Sequence, residues 1–130
     1  MFEVELEKQI RQKFIDAGWD AIEDYGTNAY RPDITLSCQQ KVMGYVEVIC
    51  YRQGNERFLL KKLEQAKQYI NIVKPVIFIV TDGNKYHVSI KGGPFEVIHF
   101  PPGPESYYVV KGLVLDYVEC VNGKEDDKDD

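Results

Sequence analysis

The stretch RPDITLSCQQKVMGYVEVICYR, residues 31–52, contains two runs rich in β-branched and aromatic residues, Asp33 to Cys38 and Tyr45 to Arg52. Such side chains fit a pleated, half-buried surface. Between the runs, QQKVMG reads as a turn with Gly44 marking the bend, so the stretch is expected to form an antiparallel hairpin. Pro32 biases Arg31 away from helical geometry and starts extended chain just before Asp33. The hairpin brings Asp33 and Glu47, fourteen residues apart, toward each other. Side chains alternate along a strand, so Tyr45, Glu47, Ile49 and Tyr51 share one face, and Val46, Val48, Cys50 and Arg52 the other. Two facing carboxylates suit Mg²⁺ or Mn²⁺, hard cations that favour oxygen ligands and keep several waters. The same spacing also describes two ordinary exposed acids beside a turn.

Outward from the hairpin, helices and strands follow in one continuous series. From Phe2 to Ala17, apolar positions Leu6, Ile10, Phe14 and Ala17 recur at helical spacing, and Gly18 sits where a C-terminal cap belongs. A short strand is expected around Ala21 to Glu23. After Gly54 and Asn55, the residues Leu59, Leu63, Ala66, Ile70 and Val73 form one apolar helical stripe, which Pro75 closes. VIFIV at 76–80 is uniformly apolar, as in a central strand covered on both faces. Asp82-Gly83-Asn84 is a turn into the strand KYHVSI, and Phe95 to Phe100 is a further strand. PPGP at 101–104 breaks the chain, and Tyr107 to Val121 fits helix or strand equally. This order predicts an α/β sandwich with a mixed central sheet flanked by helices, the strand after the second helix returning parallel through a right-handed crossover.

The 130 residues, 44% hydrophobic, suffice for one domain, read as residues 1–123, followed by an acidic, disordered tail at 124–130. Net charge is −5, and the tail KEDDKDD contributes five acids against two lysines. An acidic total disfavours broad nonspecific DNA binding, so any nucleic-acid contact must rest on a local basic patch. No apolar run is long enough to span a membrane, and the start MFEVELE lacks the features of a signal peptide, so a cytoplasmic protein is expected. Cys38, Cys50 and Cys120 form neither a close pair nor a zinc spacing and are expected as buried free thiols. His87 and His99 lack companions at ligand spacing, and no phosphate-binding glycine loop occurs.

Pro32-Asp33 and Glu47 match the Pro-Asp and Glu-any-Lys signature of the PD-(D/E)XK nuclease superfamily, which the chain resembles over roughly residues 3–90. It looks closest to the N-terminal nuclease domain of type I restriction enzyme R subunits. AGWD (17–20), RPDITL (31–36), VEVI (46–49), EQAKQY (64–69) and VTDG (80–83) recur in the family's order. The resemblance implies a restriction-endonuclease-like fold and metal-dependent hydrolysis of DNA phosphodiesters, with Asp33 and Glu47 as metal ligands. It implies a site role for Gln65 and Tyr69, which match a Gln and Tyr four residues apart on the helix after the Glu-any-Lys strand. Four residues is one helical face; the same spacing also fits a solvated Gln and a core-capping Tyr. A first-helix glutamate is a further implied ligand, with Glu7 preferred to Glu3.

The departure from the family pattern is Ile49, which occupies the place of the lysine that activates water and stabilises charge on the phosphate. A lysine from elsewhere, with Lys41, Lys61 and Lys62 as candidates, a noncatalytic relative, or a shifted strand register would each account for it. A register shift finds no help, since Val48, Cys50 and Tyr51 serve no better and Arg52 points to the opposite face. Ile49 is expected at the edge of a cleft formed by Asp33, Glu47 and Gln65, where a lysine in its place is tolerated. Arg52, Arg57, Lys61, Lys62 and Lys67 form a candidate phosphate-binding patch, or equally a solvated helix face. Two functions follow: a Mg²⁺- or Mn²⁺-dependent nuclease, or a noncatalytic nuclease-fold module that binds nucleic acid, a protein partner or a second copy of itself.

Overall fold

The structure, a computed structural model, describes residues 3–23, 32–50, 56–104, 107–110 and 113–116. Helix α1 (Glu3–Asp16) leads into β1 (Asp20–Glu23), β2 (Ile34–Cys38) and β3 (Lys41–Val48). Helix α2 (Glu56–Val73) then carries the chain to β4 (Ile77–Thr81), β5 (Tyr86–Ile90) and β6 (Glu96–Ile98). These six strands form one sheet in the order β1-β2-β3-β4-β5-β6, mixed because β3 and β4 run parallel while every other pair is antiparallel. The stretch that fitted helix or strand from its sequence holds β7 (Tyr107–Val110) and β8 (Leu113–Asp116), a separate antiparallel pair. The acidic tail lies outside the described residues. No helix among the described residues is long and apolar enough to cross a membrane.

Local chemistry explains most boundaries. Gly18 ends α1 at φ +114°, with its amide donating to Ile15 O and the Trp19 amide to Phe14 O. This double closure is a Schellman cap, whose left-handed residue favours glycine. The β2–β3 connection is tighter than the six-residue turn expected: Gln39 and Gln40, at φ 51° and 67°, reverse the chain alone. Two successive positive φ values match the twist of a hairpin. Gly44 is therefore not at the bend. It lies inside β3 against Ile77, and a Cβ there would fall onto the Ile77 carbonyl. The pairing slips between Leu36 and Ser37, a bulge that leaves Met43 without an opposite residue and turns it into the core.

The two helices cover opposite faces. Ile10 and Phe14 of α1 pack with Ile34, Leu36, Val46, Val48, Ile77 and Ile79 in one apolar cluster. Ala66 and Ile70 of α2 pack with Ile49, Phe78 and Val80 in another. Alternation along β3 and β4 accounts for the division, since each strand sends successive side chains to opposite layers. β4 is buried along its whole length, as its unbroken apolar run predicts.

Of the cysteines, Cys38 on β2 is disulfide-bonded and Cys50 is an exposed free thiol, so neither is the buried free thiol expected. The composition has no Cys pair at short spacing, and only tertiary structure reveals such a bond. Cys120 lies outside the described residues.

Candidate active site

The hairpin register sets the backbones of the two acids opposite one another. Ile34 pairs with Val46, so the next step along the ladder sets Asp33 opposite Glu47. The Val48 amide lies past the last paired residue of β2, and the Asp33 carboxylate replaces the missing backbone acceptor through a 2.7 Å bond to Oδ2. Standard peptide dimensions then put this oxygen within about 5 Å of the Glu47 Cα. Asp33 thus has a structural task of its own. An ionised carboxylate has two oxygens and about four acceptor sites, so one bond does not exhaust it.

Glu47 projects into the α2 layer with Tyr45 before it and Ile49 after it, as strand alternation predicts. A buried carboxylate needs compensation, because desolvation disfavours its charge. Part of that compensation is Lys62, whose Nζ stands 3.9 Å from Glu47 Oε2, with the two side chains 29% and 6% exposed. The same ammonium lies 5.6 Å from the centre of the Phe58 ring, within cation–π range. Of the three lysines proposed to replace the missing one, Lys62 therefore meets the glutamate. Lys61 is exposed on α2, and Lys41 is exposed at the start of β3.

Helical phase explains the placement. Phe58, Lys62, Gln65 and Tyr69 follow one stripe at intervals of four, three and four, which brings Lys62 to Glu47 of β3 and Tyr69 to Tyr45 of β3 and Phe78 of β4. Tyr69 meets Tyr45 edge to face at 5.6 Å and tilts against Phe78 at 5.8 Å, so it is an aromatic packing residue as well as a site neighbour. Gln65, half-buried one turn from Lys62, shares the stripe. Ile49 departs from expectation: at 3% exposure it belongs to the apolar cluster beneath α2, and its amide donates to Thr81 O at 2.9 Å. It is wall and floor, not rim, because the β3 backbone continues along β4 and keeps the side chain under the helix.

Glu7 is half-exposed on α1, the helix that packs against the other face of the sheet. Nothing is described of the Glu3 side chain. Among the described residues no group of three or more His, Cys, Asp or Glu side chains is gathered to hold an ion. Asp33 and Glu47 still suit Mg²⁺, which commonly takes one or two carboxylates and completes its shell with water and substrate phosphate. Arg52 lies outside the described residues. Arg57, Lys61 and Lys67 are exposed on α2, and Lys67 pairs with Glu64 at 3.5 Å.

A crevice beside Ile49 escaped the sequence reading. Ile49, Glu56, Leu59, Leu60, Asp82, Lys85, His87 and Val97 line a crevice of about 260 Å³ under the first turn of α2. Burial pushes the His87 imidazole below its ordinary value; Asp82 opposes this and Lys85 adds to it. The signal lay in register: Glu47, Val80, His87 and Val97 form one row across four strands, and directly paired residues share a face.

No family model, no curated protein and no solved structure matches the chain. Fold and site therefore rest on the α/β architecture described above and on the chemistry of the residues themselves.

Proposed function

We propose that the protein is a metal-dependent nuclease of the PD-(D/E)XK kind, with a restriction-endonuclease-like fold, in which Lys62 of α2 replaces the lysine absent at Ile49. The observation that carries the reading is the ammonium of Lys62 beside Glu47, at 3.9 Å. A helix, three antiparallel strands, a second helix and a parallel strand, with the helices on opposite faces, support it as well.

Asp33 and Glu47 are the oxygen ligands in this reading, and Glu7 and Tyr69 contribute no step. Mg²⁺ or Mn²⁺ bound there supplies charge neutralisation at the phosphate and a water of lowered pKa. Lys62 carries three N–H donors on a flexible stem and holds positive charge where an incoming phosphate oxygen needs it. The Phe58 ring and the Glu47 carboxylate orient that stem. Gln65 offers an amide one turn along. Arg57 and Lys61, exposed on the outer part of α2, supply phosphate contacts to DNA.

The noncatalytic alternative draws on a different observation: Ile49 is fully packed and Glu47 is nearly withdrawn from water. A module of that kind binds nucleic acid or a protein partner without cutting. Incubation of plasmid and single-stranded DNA with the purified protein in Mg²⁺ or Mn²⁺ separates the two. Asp33→Asn is the preferred variant, because it keeps an oxygen for the Val48 amide and removes the charge. Cleavage that falls at least about 100-fold in this variant is expected, the scale of losing one transition-state contact. Absent cleavage in both metals, or equal cleavage by the variant, rejects the enzyme and leaves the binding module.

A further inference from the structure

The crevice under the first turn of α2 lies next to the acid pair and has a different chemistry. Its walls are Leu59 and Leu60 from the helix and Ile49 and Val97 from the sheet, while Glu56, Asp82, Lys85 and His87 supply its polar groups. It opens at the C-terminal ends of the parallel strands β3 and β4, a common position for ligand crevices in sheets with such pairs. Ile49 is the wall shared with the acid pair. It follows Glu47 by two residues on the same face, a rise of about 7 Å along a strand.

We propose that this crevice receives one unpaired nucleobase next to the phosphate held by Asp33, Glu47 and Lys62, so that the substrate is single-stranded at that point. The inference rests on the nuclease reading for its phosphate. Three observations favour a base over a second phosphate or a peptide side chain. Apolar residues of both helix and sheet, Leu59 and Leu60 with Ile49 and Val97, line it together, which suits a flat heterocycle held between apolar side chains. The polar groups are of mixed sign, two carboxylates with one lysine and one imidazole, which disfavours a phosphate and suits an uncharged edge bearing both donors and acceptors. The volume of about 260 Å³ lies just below the range of drug-sized ligand pockets, enough for a single ring system.

His87 fits this use. It is half-buried on β5, in one row with Glu47, and its lowered proton affinity keeps the imidazole neutral near pH 7, with one nitrogen to donate and one to accept. Asp82 is held by its own turn, with Oδ1 accepting from the Asn84 and Lys85 amides at 2.8 and 2.9 Å. A base already paired and stacked in a duplex cannot enter such a crevice without leaving its stack.

The test measures affinity by fluorescence anisotropy for a labelled single-stranded DNA oligonucleotide and for the blunt duplex of the same length. Ca²⁺ serves as the hard cation. Wild type, Leu60→Asp, His87→Ala and, as a distant control, Ile72→Asp are compared, each first checked for an intact thermal transition. Leu60 and Ile72 are 60% and 80% exposed, so neither substitution disturbs the core. The single strand is expected to bind at least about tenfold more tightly than the duplex. Leu60→Asp and His87→Ala should each remove about tenfold of single-strand affinity, the size of one lost base contact, and Ile72→Asp should change nothing. Equal affinity for the two DNAs, no single-strand binding, or a preference that survives both crevice variants overturns the proposal. Mn²⁺-dependent cleavage with such a surviving preference leaves the nuclease standing and removes the crevice alone. A Leu60-dependent single-strand preference without cleavage does the reverse.

Discussion

The two faces of the central sheet differ in how much apolar surface and which charged groups they bury. Against α1, the apolar cluster runs from Ile10 and Phe14 to Ile98, with Phe14 and Tyr86 edge to face at 5.9 Å, and one oxygen of Glu23, the residue paired with Ile34, is also buried. Against α2, a smaller cluster surrounds Glu47, with Lys62 and two tyrosines set among the aliphatic groups. A layer that existed only for stability would gain nothing from a carboxylate that must be compensated. The α1 face buries the larger apolar cluster, while the α2 face buries the smaller one together with the Glu47 carboxylate.

Substitutions can break this contrast. The largest effect is expected on the α1 side, where Phe14 has no solvent exposure. Phe14→Ala should lower unfolding free energy by about 3–5 kcal/mol, combining lost transfer energy and a cavity. Urea denaturation measures it, and a loss near 1 kcal/mol would show that α1 docks loosely.

The next effect, at Ile49, tests whether the α2 layer accepts further charge. Ile49→Lys places an ammonium among Phe78, Val80 and Ala66, and a cost of about 3 kcal/mol is expected. This reverses the tolerance expected of a residue at a cleft edge. An unchanged denaturation midpoint would mean that the lysine reaches Glu47 and that the isoleucine wall yields easily.

The smallest effect is the coupling between Glu47 and Lys62. A double-mutant cycle with Glu47→Leu and Lys62→Met should give about 1 kcal/mol, because Lys62 keeps partial contact with water and the pair stands at 3.9 Å. A coupling indistinguishable from zero would detach the ammonium from the carboxylate in solution.

Much of this arrangement could be read from sequence because local rules and tertiary packing agree. Gly18 marked the end of α1, VIFIV marked the buried strand, and alternation assigned Glu47 and Ile49 to one face. The turn was misplaced because Gln39 and Gln40 adopt positive φ without the Asn or Gly that usually announces it, whereas Gly44 owes its identity to the close approach of Ile77. The candidate site was legible in part. Pro32-Asp33 and Glu47 stood out by motif, and Lys62 was one candidate among three. Selecting it required the way α2 packs on the sheet, which a sequence does not contain. His87 stands isolated in the sequence because its neighbours Asp82, Lys85 and Val97 come together only through the β4–β5–β6 register.

The claim that Lys62 stands in for the missing strand lysine is tested most directly by single-turnover DNA cleavage in Mn²⁺, comparing wild type with Lys62→Met and Lys61→Met. The two lysines are adjacent in sequence, but only Lys62 reaches Glu47. The account predicts that Lys62→Met lowers the cleavage rate constant by about 10²–10³-fold, the loss typical of one donor to developing charge. Lys61→Met should weaken DNA affinity and leave that rate constant within about threefold, as expected for a contact made equally in ground and transition states. Equal rate losses in the two variants, or full cleavage by Lys62→Met, would contradict it.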